Sequence, residues 1–211
     1  MAHGALLERG VALSAQGELV EADQPADATL RAEIERMAHA LPAPWVWPSD
    51  YQSEWCPMLQ PWIAAIGASL GHGAALIIDY GLGRSEYYHP QRSGGTLRCH
   101  YRHRAHEDPL LYPGLQDITA WVDFTRVAEA AAAAALSVAG YCTQAGFLLS
   151  SGIEADVAAS GPTMLHARLA AEARQLLLPA EMGETFKVMA LTRGIDAPLC
   201  GFEYQDLRRS L

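Results

Sequence analysis

The sequence has few cysteines and no long apolar run. Its four cysteines lie far apart and form no C-x-x-C pair, and no secretory leader is recognisable at the start. A disulfide framework is therefore not expected, and a reducing cytoplasm is the predicted compartment. No stretch approaches the roughly 18 to 20 apolar residues that a membrane span requires, so we predict no transmembrane segment.

Positive charge is also scarce. The chain has 24 Asp and Glu against 15 Lys and Arg, which gives a formal net charge of -9. Broad binding to nucleic acid depends on a basic face that neutralises phosphates, so nucleic acid is not an expected partner. With 211 residues, of which 50% are hydrophobic, the chain can bury a substantial core. The length favours a single domain over residues 1–211.

Helical and extended patterns alternate along the chain. In "DATLRAEIERMAHAL" the apolar residues recur at helical spacing, and Asp27 or Thr29 can cap the helix. Further helices are predicted before Gly71, after residue 123 and in "TMLHARLAAEARQLLL". A hairpin is predicted over residues 6–22, a strand followed by a turn in "SVAGYCTQAGFLL", and a strand in "ETFKVMALTRG". This order is typical of an α/β protein. Only about three sheet strands are visible, whereas a mean sheet has about five or six, so we expect part of a sheet.

Tryptophans are concentrated in the proline-rich segment of residues 42–62. Because tryptophan is large and mostly buried, these side chains are predicted to belong to the core, with a recognition surface as the less favoured alternative. The four residues are Trp45, Trp47, Trp55 and Trp62.

The segment "GAALIIDYGLG" is a continuous apolar run that ends in an acid. This pattern predicts a strand covered on both faces, as in a parallel sheet. Ligands of open α/β sheets bind outside the carboxyl ends of strands, which makes Asp79 and Tyr80 candidate site residues. Gly81 and Gly83 allow a sharp turn. They do not form a dinucleotide fingerprint, because Glu86 occupies the third position. The simpler alternative is that Asp79 only caps a loop.

Residues 84–116 show no periodicity and are predicted to form a long, ordered, functional loop. Within it, "CHYRHRAH" brings together possible metal ligands, but neighbouring arginines would repel a cation, so no metal site is predicted. Arginine offers a planar fork to anions, which favours a clamp for phosphate or carboxylate. Pairing of these arginines with nearby acids is the simpler alternative.

Two carboxylates follow this basic loop. Asp117 and Asp123 lie on either side of a short apolar stretch. They could hold a cationic group of a substrate, or cap the helix that begins near Thr125. For Asp123 the cap is favoured.

Three segments together resemble the MidA family of S-adenosylmethionine-dependent methyltransferases. They are "LIIDYG", "EYYHPQRSGGTLRCHYRHRAHEDPLLYPGLQDITAWVDF" and "PAEMGETFKVMALTRG". The family includes an assembly factor of mitochondrial complex I that methylates protein arginine. The resemblance implies a class I methyltransferase fold, a Rossmann-like sheet with helical additions and a long basic loop. It also implies S-adenosyl-L-methionine as cofactor and a protein substrate, with a respiratory complex I subunit as one candidate.

One departure from the family pattern is large. Members carry a glycine-rich turn after the first strand, which holds the cofactor, and this sequence has none. The resemblance therefore implies that the chain corresponds to the C-terminal portion of the enzyme and lacks the N-terminal cofactor-binding half. Two alternatives follow, namely a non-catalytic protein-binding module and a remnant that acts with a separate N-terminal half. A metal-binding protein is a third and less favoured alternative.

The implied reaction is an in-line displacement at the sulfonium methyl group, in which alignment of donor and acceptor supplies most of the rate. Carboxylates can fix a guanidinium through two hydrogen bonds and accept positive charge. From position and chemistry, we predict that Asp79 and Asp117 are catalytic, orienting acids. The predicted substrate-binding residues are Tyr80, Gly81, Tyr87, Arg92, Arg102, His103 and Asp123.

Overall fold

The computed structural model describes residues 5–42, 46–161 and 164–211. The strands are β1 (Leu7–Leu13), β2 (Leu19–Pro25), β3 (Gly73–Leu82), β4 (Arg98–Tyr101), β5 (Arg104–His106), β6 (Asp117–Thr119), β7 (Val122–Asp123), β8 (Ser137–Thr143) and β9 (Phe186–Arg193). The helices are α1 (Ala28–His39), α2 (Leu59–Ser69), α3 (Arg84–Tyr87), α4 (Phe124–Ala133), α5 (Gln144–Ser150), α6 (Ile153–Ala159) and α7 (Met164–Leu177). Short 3-10 helices span Cys200–Phe202 and Arg208–Ser210.

Two compact units divide the chain. Unit 1 comprises Met1–Pro57 and Ser85–Trp121, and unit 2 comprises Met58–Arg84 and Val122–Leu211. Each unit is therefore built from two separate stretches of sequence. The single domain expected from the chain length stays a prediction.

Unit 1 begins with the predicted hairpin and helix. Strands β1 and β2 pair antiparallel, from Leu7 opposite Pro25 to Leu13 opposite Leu19. Helix α1 starts where its capping signal indicates, since the side chain of Asp27 accepts a hydrogen bond of 2.7 Å from the Leu30 N–H. The predictions of the hairpin and of helix α1 are both confirmed. Both depend on residues that are close together in the sequence.

The rest of unit 1 corrects the prediction that residues 84–116 form one long ordered loop, because this stretch contains two strands. Strands β5, β4 and β6 form a three-stranded antiparallel sheet in that order. These strands have only three or four residues, which is too short for a periodic pattern to show in the sequence. The basic segment is therefore a hairpin in a small sheet.

Unit 2 contains a four-stranded sheet in the order β7, β3, β9, β8. Strand β9 pairs antiparallel with both β3 and β8, whereas β7 runs parallel to β3 and pairs only beside Gly81 and Leu82. The α/β class is confirmed, with strands β3, β8 and β9 where the sequence indicates them. The segment after β8, predicted as a turn, is helix α5.

Different helices pack on the two faces of the unit 2 sheet. On one face, α2 and α4 pack Ile63, Phe124 and Val127 against the fully buried Met189 and Leu191. On the other face, α5 and the first 3-10 helix cover β8 and β9 through Val188, Cys142, Phe147 and Phe202.

Strand β3 is not covered on both faces, so that prediction was wrong. Leu76 and Ile78 point to the same side of the strand and are 51% and 50% exposed. In the described part of the chain, β3 has no strand partner on its β7 side between Gly73 and Tyr80. A continuous apolar run in the sequence does not reveal whether helices or strands cover both faces of the strand that it forms.

The tryptophan prediction is wrong in part. Trp62 is 51% exposed on α2. Trp47 and Trp55 are half-buried, and their indole N–H groups donate to the Tyr88 carbonyl oxygen and the Glu33 carboxylate at 2.9 and 3.1 Å. Trp45 lies outside the described residues.

Candidate functional site

Asp79 and Tyr80 lie in the C-terminal part of β3, where its pairing with β9 ends, although the strand itself continues to Leu82. Asp79 is half-buried and its side chain accepts a hydrogen bond of 2.8 Å from the Tyr80 N–H. In the sheet register, Asp79 lies opposite Lys187 on β9, and Lys187 lies opposite Thr143 on β8. Residues directly opposite one another share a face of the sheet. A carboxylate, an ammonium and a hydroxyl group therefore form one row across the sheet.

Lys187 was not predicted as a site residue. It is buried, its Nζ donates to the Glu184 carbonyl oxygen, and it is the only lysine in the sequence. A lone lysine followed by the buried run "VMALT" is a signal that sequence inspection could have used, because buried lysines are rare without a partner.

Tyr80 and Gly81 have distinct surroundings. The Tyr80 ring packs on Phe186 with a centroid separation of 3.9 Å, which makes an aromatic surface on the face opposite the Asp79 row. Gly81 is buried, and a Cβ there would come within 2.6 Å of the Phe124 ring and overlap the Val122 carbonyl oxygen. The missing side chain at this position allows close packing of β7 and α4.

Asp123 is the N-cap of α4, as the sequence favoured. One carboxylate oxygen accepts from the Arg126 N–H at 3.1 Å, and the other lies 3.6 Å from Nε of Arg84. Burial raises the pKa of Asp123 above its ordinary value, and the Arg126 N–H and the Arg84 charge only partly oppose this. Substrate binding by this carboxylate stays a prediction.

Arg84 connects this cap to the middle of α4. Its guanidinium forms two hydrogen bonds with the Glu129 carboxylate, one of them 2.7 Å long, and its backbone N–H donates to Thr125. The Arg84 side chain is buried, whereas Glu129 is exposed. Nothing in the sequence indicates this pair, because its members are 45 residues apart.

In unit 1, Tyr87 belongs to a network around the Glu54 carboxylate. The Tyr87 hydroxyl donates to Glu54 at 3.2 Å, as does the Thr96 hydroxyl at 2.8 Å, and the backbone N–H groups of Thr96 and Leu97 add two more donors. Gly95 has a φ of 73° and leaves room for the carboxylate. Tyr87 is buried, and its predicted contact with substrate is untested.

The remaining predicted residues also lie in unit 1. Arg92 is half-buried, with its guanidinium 5.2 Å from the centre of the Trp121 ring. Arg102 and His103 form the exposed turn between β4 and β5. Asp117 is exposed on β6, directly opposite His100 of β4.

The predicted residues thus fall into two groups. Asp79, Tyr80, Gly81 and Asp123 belong to unit 2, and the others belong to unit 1. The joint action of Asp79 and Asp117 on one substrate stays a prediction.

The described residues lack the features of a metal site and of a membrane span. They contain no group of three or more His, Cys, Asp or Glu side chains arranged to hold a metal ion. They also contain no helix with the length and apolar character needed to cross a membrane.

Comparison with known proteins gives consistent matches. A family model described as "Putative S-adenosyl-L-methionine-dependent methyltransferase" matches residues 1–142. Protein arginine methyltransferase NDUFAF7, mitochondrial, of Rattus norvegicus is 37% identical over 128 residues, which are 59% of this chain and 27% of the rat protein. The match therefore spans little more than a quarter of this curated relative.

Solved structures from Burkholderia thailandensis match the whole chain. An uncharacterised superfamily protein has a TM-score of 0.91 and 40% identity, and the match covers 100% of this chain and 55% of that one. A related protein bound to S-adenosyl-homocysteine has a TM-score of 0.88 and 40% identity, and the match covers 53% of its length. The chain thus spans about half the length of these structures.

Proposed function

Because this chain belongs to the S-adenosyl-L-methionine-dependent methyltransferase family, we propose that it forms part of an enzyme that methylates arginine in a protein substrate. The observation that carries the proposal is the match of the whole chain, at 40% identity, to a structure bound to S-adenosyl-homocysteine. The choice of acceptor is supported by the name of the rat relative, a protein arginine methyltransferase.

The unit 2 sheet is proposed to be the C-terminal portion of a larger Rossmann-like sheet. The open side of β3 and the exposed Leu76 and Ile78 support this proposal, because an apolar edge strand is normally covered or paired. The solved relatives have about twice the matched length, which would provide further strands and helices.

The described residues do not by themselves fit S-adenosyl-L-methionine. Gly81 and Gly83 follow the apolar part of β3, but the space of their missing side chains is used by the chain itself. A Cβ on Gly83 would lie 2.6 Å from the Ser210 carbonyl oxygen, and one on Gly81 would overlap Val122. We therefore assign the cofactor cradle to the part of the relatives that lies outside the match.

The chain's own residues are proposed to hold the acceptor. Asp79 lies in the C-terminal part of β3, near where open α/β sheets bind ligands, and its carboxylate can orient a guanidinium and accept its N–H groups. The Tyr80 and Phe186 rings provide an aromatic surface at the same end of β3. Asp117 is proposed as a second orienting acid, and Arg92 as a contact for the protein substrate.

A subunit of respiratory complex I is one candidate substrate, implied by the family resemblance. The cytoplasm is the proposed compartment of this chain, whereas the rat relative is named as mitochondrial. Identification of the methylated protein in the organism that carries this sequence would test both proposals.

A second candidate function is a non-catalytic binding module, or a remnant that pairs with a separate cofactor-binding half. The open side of β3 favours this alternative, because it offers backbone hydrogen-bonding groups to another chain. The two functions differ in whether the assembled protein transfers a methyl group.

Methyl transfer can be measured after co-expression with the portion of a Burkholderia thailandensis relative that lies outside the match. Transfer of radiolabelled methyl groups to protein is expected, and Asp79→Asn should lower it about 100-fold if the carboxylate acts directly on the guanidinium. Asp156→Asn, an exposed acid on α6, is the matched control and should have no effect. Equal transfer by all three proteins would refute the role of Asp79, and no transfer by a stable assembly would refute the enzyme.

A further inference from the structure

The β4–β5 hairpin ends in an unusual turn. Tyr101 pairs with Arg104, so Arg102 and His103 are the two turn residues, with φ values of 48° and 62°. Two-residue hairpin turns with positive φ at both positions are type I′, which strongly favours Asn-Gly. Side chains with a Cβ are disfavoured in this conformation. The chain therefore keeps two large side chains at positions where the backbone favours small ones.

These side chains belong to a cationic patch. Residues 98–106 contain three arginines, three histidines and no acid, in a chain with a net charge of -9. Arg102, His103 and Arg104 are exposed. Arg98, at the far end of β4, pairs with Glu107 at 3.2 Å, and Asp117 lies opposite His100, whereas in the sheet register Tyr101 and Arg104 pair only with each other. The tip itself is positively charged.

Aromatic packing holds one of these cations in place. The Arg102 guanidinium lies 5.2 Å from the centre of the Tyr101 ring, and that ring packs on Tyr112 at a centroid separation of 4.5 Å. A guanidinium that rests on an aromatic face keeps its N–H groups available at the rim. The hairpin thus presents an ordered arginine fork to solvent.

We propose that the tip formed by Arg102, His103 and Arg104 binds a carboxylate-rich segment of a protein partner. Fourteen of the fifteen basic residues in the sequence are arginines, and arginine matches carboxylates through two parallel hydrogen bonds. A small patch on an acidic chain suits a short acidic segment better than a long polyanion, which needs an extended basic face. Resting on the proposed function, this surface would hold the acceptor protein by acidic residues apart from its methylated arginine.

The proposal can be tested on the 211-residue chain with a short fluorescein-labelled peptide of alternating Glu and Gly, using fluorescence anisotropy. The double variant Arg102→Asn with His103→Gly installs the favoured type I′ turn and removes the Arg102 guanidinium and the His103 imidazole. It should fold at least as stably as the wild type and bind the peptide about fivefold more weakly, as expected for the loss of one surface arginine contact. Arg168→Gln, which removes an exposed arginine on α7, is the matched control and should bind normally.

A peptide of alternating Gln and Gly should not bind, and added sodium chloride should weaken binding of the acidic peptide. Unchanged binding by the double variant would overturn the proposal, as would the absence of binding by the wild type at low salt. Duplex DNA that bound as tightly as the acidic peptide would also overturn it, because the surface would then select polyanions in general. The assay needs neither cofactor nor methyl transfer, so its failure is distinguishable from failure of the proposed enzyme.

Discussion

Replacement of Arg84 by methionine should destabilise the chain strongly. The substitution retains an unbranched apolar stem but removes the guanidinium that lies 3.6 Å from the Asp123 carboxylate. Asp123 is only 6% exposed, so its charge would lose its nearest buried counter-charge. Removing one member of a buried pair costs about 3–5 kcal/mol. The exposed Glu129 adds at most about 1 kcal/mol to this loss.

The expected total is therefore about 3 kcal/mol or more in the free energy of unfolding. Urea denaturation followed by circular dichroism measures this quantity, provided that the slope with urea is unchanged. Arg174→Met, on the exposed surface of α7, is the matched control and should stay within about 0.5 kcal/mol of the wild type.

A double-mutant cycle tests the reasoning. Asp123→Asn removes the charge but keeps an oxygen that can accept from the Arg126 N–H, so the helix cap survives. In this background, Arg84→Met should cost at least about 1 kcal/mol less than in the wild type, because residue 123 no longer carries a charge that needs Arg84. An equal cost in both backgrounds would refute a charge interaction between Arg84 and Asp123.

Three further predictions concern titration, thiols and packing. The pKa of Asp123 is raised in the folded chain, so the folded state binds this proton more tightly than the unfolded state does. The free energy of unfolding of the wild type, relative to that of Asp123→Asn, should therefore fall as the pH rises from about 3.8 through the raised pKa. Urea denaturation that gave the same difference at every pH would contradict this. Burial raises the pKa of Cys142 to about 12, so maleimide labelling at neutral pH should leave it unmodified in the folded chain. The thiols should divide into an exposed, reactive pair and a buried, slow pair, respectively Cys56 with Cys200 and Cys99 with Cys142. Gly140→Ala would overlap the Phe202 ring and should cost about 1–3 kcal/mol in thermal denaturation, whereas Gly71→Ala has open space and should cost far less.

Capping residues and short apolar patterns in the sequence predicted the helices and strands that depend on neighbouring residues alone. Helix α1 begins at its capping aspartate, and the apolar run around Ile77 forms a strand. The exposure of Ile78 could not be predicted, because a buried strand and an uncovered one have the same composition. The strands β4 and β5 were missed because they are short and because Arg102 and His103 give none of the usual Asn-Gly signal for a hairpin.

For the candidate site, the sequence predicts single positions but not the contacts between distant residues. The candidacy of Asp79 follows from a general rule for α/β sheets and stays a prediction, since β3 continues past Asp79 to Leu82. The pairing of Arg84 with Glu129 and the Glu54 network join residues that are 33 to 45 positions apart, so no local pattern indicates them. The family resemblance supplied the cofactor and the reaction, which individual residues did not.

Calorimetric titration with S-adenosyl-L-methionine tests the central claim most directly. The 211-residue chain should be titrated alone and in complex with the portion of a relative that lies outside the match. We expect no binding by the chain alone, because its glycines accommodate its own backbone, and stoichiometric binding by the complex. A stable complex that bound no cofactor would contradict the methyltransferase assignment of this chain. Binding by the chain alone would contradict the assignment of the cofactor cradle to the part of the relatives outside the match.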